Sequence, residues 1–294
     1  MFVNAIETVQ QFTRPMHTIS RNYGETKIRP GSATLFFINE DGVAVTCKHV
    51  AQMLLDAEEI NKNYNNYKTE RKAFQVSNNF NKKIKELAAK YKFSNESTAE
   101  AYITLVNCAA SWSSLEIKLH PTYDLAIIKL SNPKGLMIPS FATFLKDTSV
   151  LKQGYSMCRL GFPFPEFNNY QYNATEDKIE WTNTGNPASP AFPIDGMLTR
   201  HIGDEHGIMG IELSTPGLRG QSGGPLFNKE GLICGMQSAT NHLHLGFDMR
   251  QHEIMANGIK IKATNQPFLH VGICIHADVI KNFLREQNIK FYEA

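Results

Sequence analysis

Nine short apolar runs, five to eight residues each, recur along the 294-residue chain: "ATLFFI", "GVAVTC", "SLEIKL", "LAIIKL", "SMCRLGF", "GIMGIEL", "GPLFN", "GLICGMQS" and "FLHVGICI". Gly, Asn, Asp or Pro punctuate most of them. "NEDGVAV" carries an Asp-Gly turn and "FNKEGLI" a Glu-Gly turn between apolar runs, so both read as hairpins. Many short strands separated by turn signals predict an all-β barrel or sandwich.

One region departs from this pattern. Val50, Met53, Leu54, Ala57 and Ile60 fall at helical spacing, as do Phe80, Ile84, Leu87 and Tyr91. Residues from about 51 to 110 therefore read as a helical, Lys/Asn-rich insertion, with the stripes Met53/Leu54 and Ile84/Leu87 packed together. Its lysines, among them Lys82, Lys83, Lys85, Lys90 and Lys92, form either a solvated face or a docking surface for a regulatory protein partner. A last helix is expected near the C-terminus, capped by Asp278 and striped by Val279, Ile280, Phe283 and Leu284.

Hydrophobic residues make up 42% and charged residues 20%, as in ordinary globular chains, and the net charge of +2 gives no basis for nucleic-acid or membrane partners. No apolar run is long enough to span a bilayer. "MFVNAIETVQQFTRP" lacks a basic start followed by an apolar stretch, so a cytoplasmic location is expected. The five cysteines are odd in number and show no CxxC spacing. Cys47, Cys158, Cys234 and Cys274 lie in strand-like runs, as reduced core thiols would.

"GLRGQSGGPLF", residues 217–227, sets four glycines and a proline around Ser222. A serine hydroxyl needs a base within hydrogen-bond reach and a carboxylate behind that base. Acyl transfer also needs fixed N–H donors for the oxyanion. Glycine permits the tight turn that presents them, so the N–H groups of Gly220 and Ser222 are the expected oxyanion hole. "VAVTCKHVA" places His49 at the start of a helix, and "HPTYDLAIIKL" places Asp124 just before a strongly apolar strand. Asp147, Asp195 and Asp204 are rivals for the carboxylate, but none precedes such a run.

"VTCKHVA", "YDLAIIKL" and "GQSGGPLFNKEGLICGMQS" resemble the three catalytic blocks of trypsin-like serine proteases, in that family's order His, Asp, Ser. "GSATLFFINEDGVAVTCKHV", "CRLGFPFP" and "VGICIHADVIKNFL" resemble the bacterial high-temperature-requirement branch. The likeness covers most of residues 30 to 285, except the helical insertion and a segment near 240 to 265. It implies two six-stranded antiparallel β-barrels. Residues 1–133 would carry His49 and Asp124, and 134–294 would carry Ser222 and end in a helix. It further implies peptide-bond hydrolysis through an acyl-enzyme, with a protein or peptide as substrate and no cofactor.

Some positions depart from the family. Secreted members carry an aspartate before the serine that pairs with a new N-terminal ammonium; here Gln221 cannot. Val50 stands where a cysteine often follows the histidine, and no C-terminal peptide-binding domain is expected. Ser238 reads either as an ordinary strand serine or as the residue whose hydroxyl supports the aspartate. Together with Pro216, Gly272 and Cys274 it is placed around the substrate pocket, which is expected to be uncharged and apolar. His242, His244 and His252 at loop-like spacing read as solvent-exposed, so no metal is expected. An esterase is disfavoured, since "GQSGG" is not the GxSxG elbow. A protease-fold regulatory or partner-binding protein with a latent site remains the alternative.

Overall fold

The computed structural model describes residues 1–74, 79–205, 207–245, 252–256, 259–263 and 268–294. The first half contains helix α1 (Val3–Gln10) and strands β1 (Thr13–Asn22), β2 (Arg29–Phe37) and β3 (Val43–Thr46). Helices α2 (Lys48–Lys72) and α3 (Phe80–Lys90) follow, then β4 (Thr98–Leu105), β5 (Ala109–Ser111), β6 (Ser114–Leu119), β7 (Ala126–Ser131) and β8 (Lys134–Leu136). The second half runs through β9 (Thr143–Phe144), β10 (Ser156–Gly161), β11 (Tyr170–Asn173), β12 (Lys178–Trp181), β13 (Phe192–Asp204), β14 (Gly207–Leu213) and β15 (Pro225–Phe227). It ends with β16 (Ile233–His244), β17 (His252–Ala256), β18 (Ile259–Ala263), β19 (Phe268–His276), helix α4 (Ala277–Glu286) and β20 (Tyr292–Glu293).

Each of the nine apolar runs lies in a strand, and the fold is two β-barrel domains. The first sheet has the order β4-β1-β2-β3-β7-β6. The second runs β15-β10-β13-β14-β19-β16, and β16 pairs back onto β15, closing a six-stranded antiparallel ring. Strands β9 and β20 extend it in parallel beside β16. Both expected hairpin turns form, with Gly42 and Gly231 at φ +73° and +81°, where a side chain would be strained. One continuous core joins the barrels, from Leu35 and Phe36 through Phe144 and Leu160 to Phe227 and Ile280.

The expected insertion over residues 51–110 is helical only as far as Lys90. Thr98–Leu105 is strand β4, paired with β1 from Asn22 to Met16. Its run "TAEAYITL" mixes good helix formers with β-branched and aromatic residues, and the free edge of β1 decides the matter. The two hydrophobic stripes also do not meet. Met53 is exposed and Leu54 packs on the barrel beside Ala126 and Ile128. Helices α2 and α3 are joined instead by Tyr64 and Tyr67 against Leu87 and Ala88, with Tyr23, Tyr91 and Phe93 around them. In addition, Asn61 on α2 accepts from Ala101 N–H at 3.0 Å and donates to Ala101 C=O at 2.6 Å, covering the open edge of β4.

A buried ion pair fastens this assembly. Arg21 on β1 donates to Glu100 on β4 at 2.9 and 2.6 Å, and both side chains are 2% exposed. Asp177, in the β11–β12 turn, lies 3.1 Å from Arg21 and accepts from Tyr64 and Tyr172 at 2.7 and 2.8 Å. Glu100→Ala, which leaves the buried guanidinium with Asp177 as its one carboxylate, is expected to cost about 1–3 kcal/mol. Arg21→Met combined with Glu100→Leu should recover most of that loss. Denaturant midpoints of the two variants check this; equal losses would show that the pair is not what holds the helices down.

Candidate active site

Helix α2 starts after Cys47, whose extended backbone (φ −70°, ψ 148°) breaks from β3 and whose side chain makes no cap. The first turn therefore needs an outside acceptor. Asp124, at the entrance to β7, supplies it by accepting from His49 N–H at 3.0 Å. The same carboxylate takes the His49 Nδ1–H at 2.9 and 3.0 Å and the Ser238 hydroxyl at 2.5 Å. Burial pushes the Asp124 pKa up, but the hydrogen bonds from His49 and Ser238 outweigh it and hold the group at about 2. His49 is half exposed, at 52%. Its Nδ1 is committed to Asp124, which leaves Nε2 toward the cleft.

Ser222 sits on the other side of that cleft in a glycine turn. Gly220 and Gly223 have φ +96° and +86°, and a Cβ on Gly223 would strike Thr34 C=O and the Thr46 hydroxyl. Strand β2 of the first barrel grips this turn: Thr34 N–H donates to Ser222 C=O at 3.0 Å and its hydroxyl to Gly220 C=O at 2.8 Å. Gln221 is fully buried. Its amide accepts from Leu218 N–H and donates to Phe192 C=O, both at 3.0 Å. Among the described residues, neither the Gly220 N–H nor the Ser222 N–H has a protein acceptor. The Ser222 hydroxyl donates to Ser238 C=O at 3.3 Å and not to His49. Gly220, Ser222 and His49 line one cleft of about 490 Å³, with Ser32, Met53 and Arg219.

The structure thus brings His49, Asp124, Ser222, Gly220 and Ser238 together. Of the two readings of Ser238, its hydroxyl takes the one that supports Asp124. The other pocket residues differ from expectation: Cys274 is fully buried with its thiol on Gln237 Oε1 at 3.5 Å. Between Pro216 and Gly272 lies Arg159, a fully buried cation where an uncharged, apolar pocket was expected. It came from β10, in the run "YSMCRLGF"; an arginine inside an apolar run buried on both faces is the signal that would have exposed it. Thr34, which helps fix the serine turn, carries no sequence signal of its own, and Gln221 stands out only as a departure from the family's aspartate.

Two groups bear on metal binding. Ligand atoms of Cys47, His49 and Asp124 lie within 4.8 Å of one another. The imidazole and carboxylate are spent on each other, and burial pushes the Cys47 thiol well up, away from the thiolate a metal requires. His242 faces His270 across β16 and β19, and the side chain of His252 lies outside the described residues.

Because the Asp124 pKa is depressed in the folded chain, its ionisation adds stability above about pH 4. That contribution is lost as the pH falls through about 2. The stability gap between the native chain and Asp124→Asn should therefore be full at neutral pH and close on acidification over this window. Urea unfolding at stepped pH reads it directly; a gap that does not narrow would mean that Asp124 is not held ionised by these bonds.

A family model for the trypsin-like peptidase domain matches residues 33–236. No curated protein matches the chain in sequence. Among solved structures the chain is similar to the HtrA-type protease AlgW with decapeptide, at 12% identity and TM-score 0.49, covering 97% of this chain and 67% of that one. It is similar also to the HtrA-type protease AlgW with tripeptide, at 12% identity and TM-score 0.48, covering 97% of this chain and 63% of that one. The chain thus spans about two thirds of the length of these structures. With the family match extending over well more than half of its residues, the chain belongs to the trypsin-like peptidase domain family.

Proposed function

We propose that the chain is an intracellular serine endopeptidase of narrow substrate range, acting through an acyl-enzyme on Ser222 and controlled allosterically, without zymogen cleavage. The observation that carries this reading is the line Ser238–Asp124–His49, which ends in the cleft that also holds Ser222. In this reading Asp124 holds the proton on Nδ1, so that Nε2 is basic. His49 takes the Ser222 proton as Oγ attacks the peptide carbonyl and returns it to the departing amine. The N–H groups of Gly220 and Ser222 receive the oxyanion. Water then repeats the sequence on the acyl-enzyme and frees the acid.

Gln221 supports control without zymogen cleavage. Its neutral amide already braces the serine turn from within, so the turn requires no new N-terminal ammonium. Helix α2 begins one residue before His49 and gives a regulatory partner at its lysine-rich neighbour α3 a mechanical route to the base. Five free, buried thiols support a reducing compartment. No helix among the described residues is long and apolar enough to cross a membrane.

One observation favours the alternative, a partner-binding protein with a latent site: the Ser222 hydroxyl rests on Ser238 C=O. Labelling with an alkyl fluorophosphonate separates the two. Ser222 is expected to be labelled, and peptide turnover to fall by on the order of 10⁶-fold in Ser222→Ala. Turnover that survives in Ser222→Ala would remove the endopeptidase mechanism, and a chain that neither labels nor cleaves would leave the latent reading standing.

A further inference from the structure

Arg159 is fully buried, and all of its partners are neutral. Nη1 donates to Gln237 Oε1 at 2.6 Å. Nη2 donates to Thr215 C=O at 3.0 Å, the Thr215 hydroxyl at 2.8 Å and Pro216 C=O at 2.9 Å. Nε is buried with no hydrogen-bond partner. No carboxylate among the described residues pairs with this guanidinium, and burial pulls its pKa down. A guanidinium carries five N–H donors and cannot shed its charge, so burying it without a counter-ion is costly. A side chain there that served packing alone would need no charge.

The position of this cation assigns it a task. Gln237, its Nη1 partner, pairs through its backbone with Gly223 N–H at 2.9 Å and Gly224 C=O at 2.8 Å, in the turn that presents Ser222. Glycines flank the pair: a Cβ on Gly272 would strike Arg159, and one on Gly217 would strike the Gln237 amide. The Gln237 amide oxygen thus stands where one oxygen of a carboxylate could sit. Among the described residues the cleft at Ser222 is lined by Arg219, by Arg29, which pairs with Glu25 at 2.6 Å, and by no carboxylate.

We propose that the space held by the Arg159–Gln237 pair is a specificity pocket for an acidic side chain, so that the chain cleaves peptides after aspartate or glutamate. The carboxylate displaces Gln237 Oε1 and takes its place on Nη1, a charge-assisted hydrogen bond that gives the buried cation the counter-ion it lacks. This rests on Ser222 being the nucleophile.

The test uses the full chain and three peptidyl diphenyl phosphonates that differ only in the residue bonded to phosphorus: Asp, Asn or Ala. An alkyl fluorophosphonate without a peptide serves as the control for the nucleophile. Second-order rates of Ser222 modification are read by mass spectrometry. The Asp reagent is expected to react about tenfold or more faster than the Asn reagent. In Gln237→Glu, whose own carboxylate occupies the guanidinium, and in Arg159→Gln the Asp-to-Asn ratio should fall toward one. Thermal unfolding shows whether each variant is folded, and the ratio in the native chain stands without either variant. Fluorophosphonate labelling with an Asp-to-Asn ratio near one, or with Ala fastest, would overturn the acidic pocket and show the pair to be a plug, leaving Ser222 as nucleophile. Failure of the fluorophosphonate itself would instead overturn the reading of Ser222.

Discussion

The carboxylate of Asp124 is the joint on which the site turns. It receives three donors from two elements, the backbone and imidazole of His49 on α2 and the hydroxyl of Ser238 on β16. Taking a carboxylate partly out of water is costly, and these donors outweigh that cost and favour its ionised form. The positive end of α2 adds to the same effect. One negative charge therefore fixes the start of a 25-residue helix, the orientation of an imidazole and the approach of the second barrel. The start of the helical segment and the base are thus held at one point.

The serine turn is held by a different device. Thr34 uses its N–H on Ser222 C=O and its hydroxyl on Gly220 C=O, while the Thr34 hydroxyl also accepts from Phe162 N–H at 3.1 Å. The clamp belongs to the first barrel and the turn to the second, so the two halves of the cleft share one set of hydrogen bonds. Close packing then allows little drift between base and nucleophile. Gln221 completes the brace with a neutral amide.

Much of this was legible in the residues. Periodicity placed nine strands, and the contexts of His49, Asp124 and Ser222 put them in one cleft. Strand β1 was not legible: "TRPMHTISRN" is polar to the eye, yet it buries His17 and Arg21 because each meets a partner from a distant segment, Ser189 and Glu100, and it buries Thr13 with its hydroxyl on Val9 C=O. The tyrosine seam between α2 and α3 was hidden because Tyr64 and Tyr67 pack with hydroxyls satisfied by Asp177 and Tyr23, so apolar spacing alone does not reveal them. Arg159 was missed for the same reason: its environment is built by residues 215–217 and 237, far away in sequence. Buried polar groups are specified by their partners, and partners are a property of the fold.

Asn61 has a role that reaches beyond its own molecule. A sheet that ends in an eight-residue strand presents a row of unmatched N–H and C=O groups, which is a template for another strand. By engaging both backbone groups of Ala101 midway along β4, the amide of Asn61 interrupts that row, and α2 lies over it. The segment that sets this chain apart from a bare barrel thereby acts as a guard against edge-to-edge polymerisation. Its loss would trade a covered edge for an open one, even with every residue of the cleft in place.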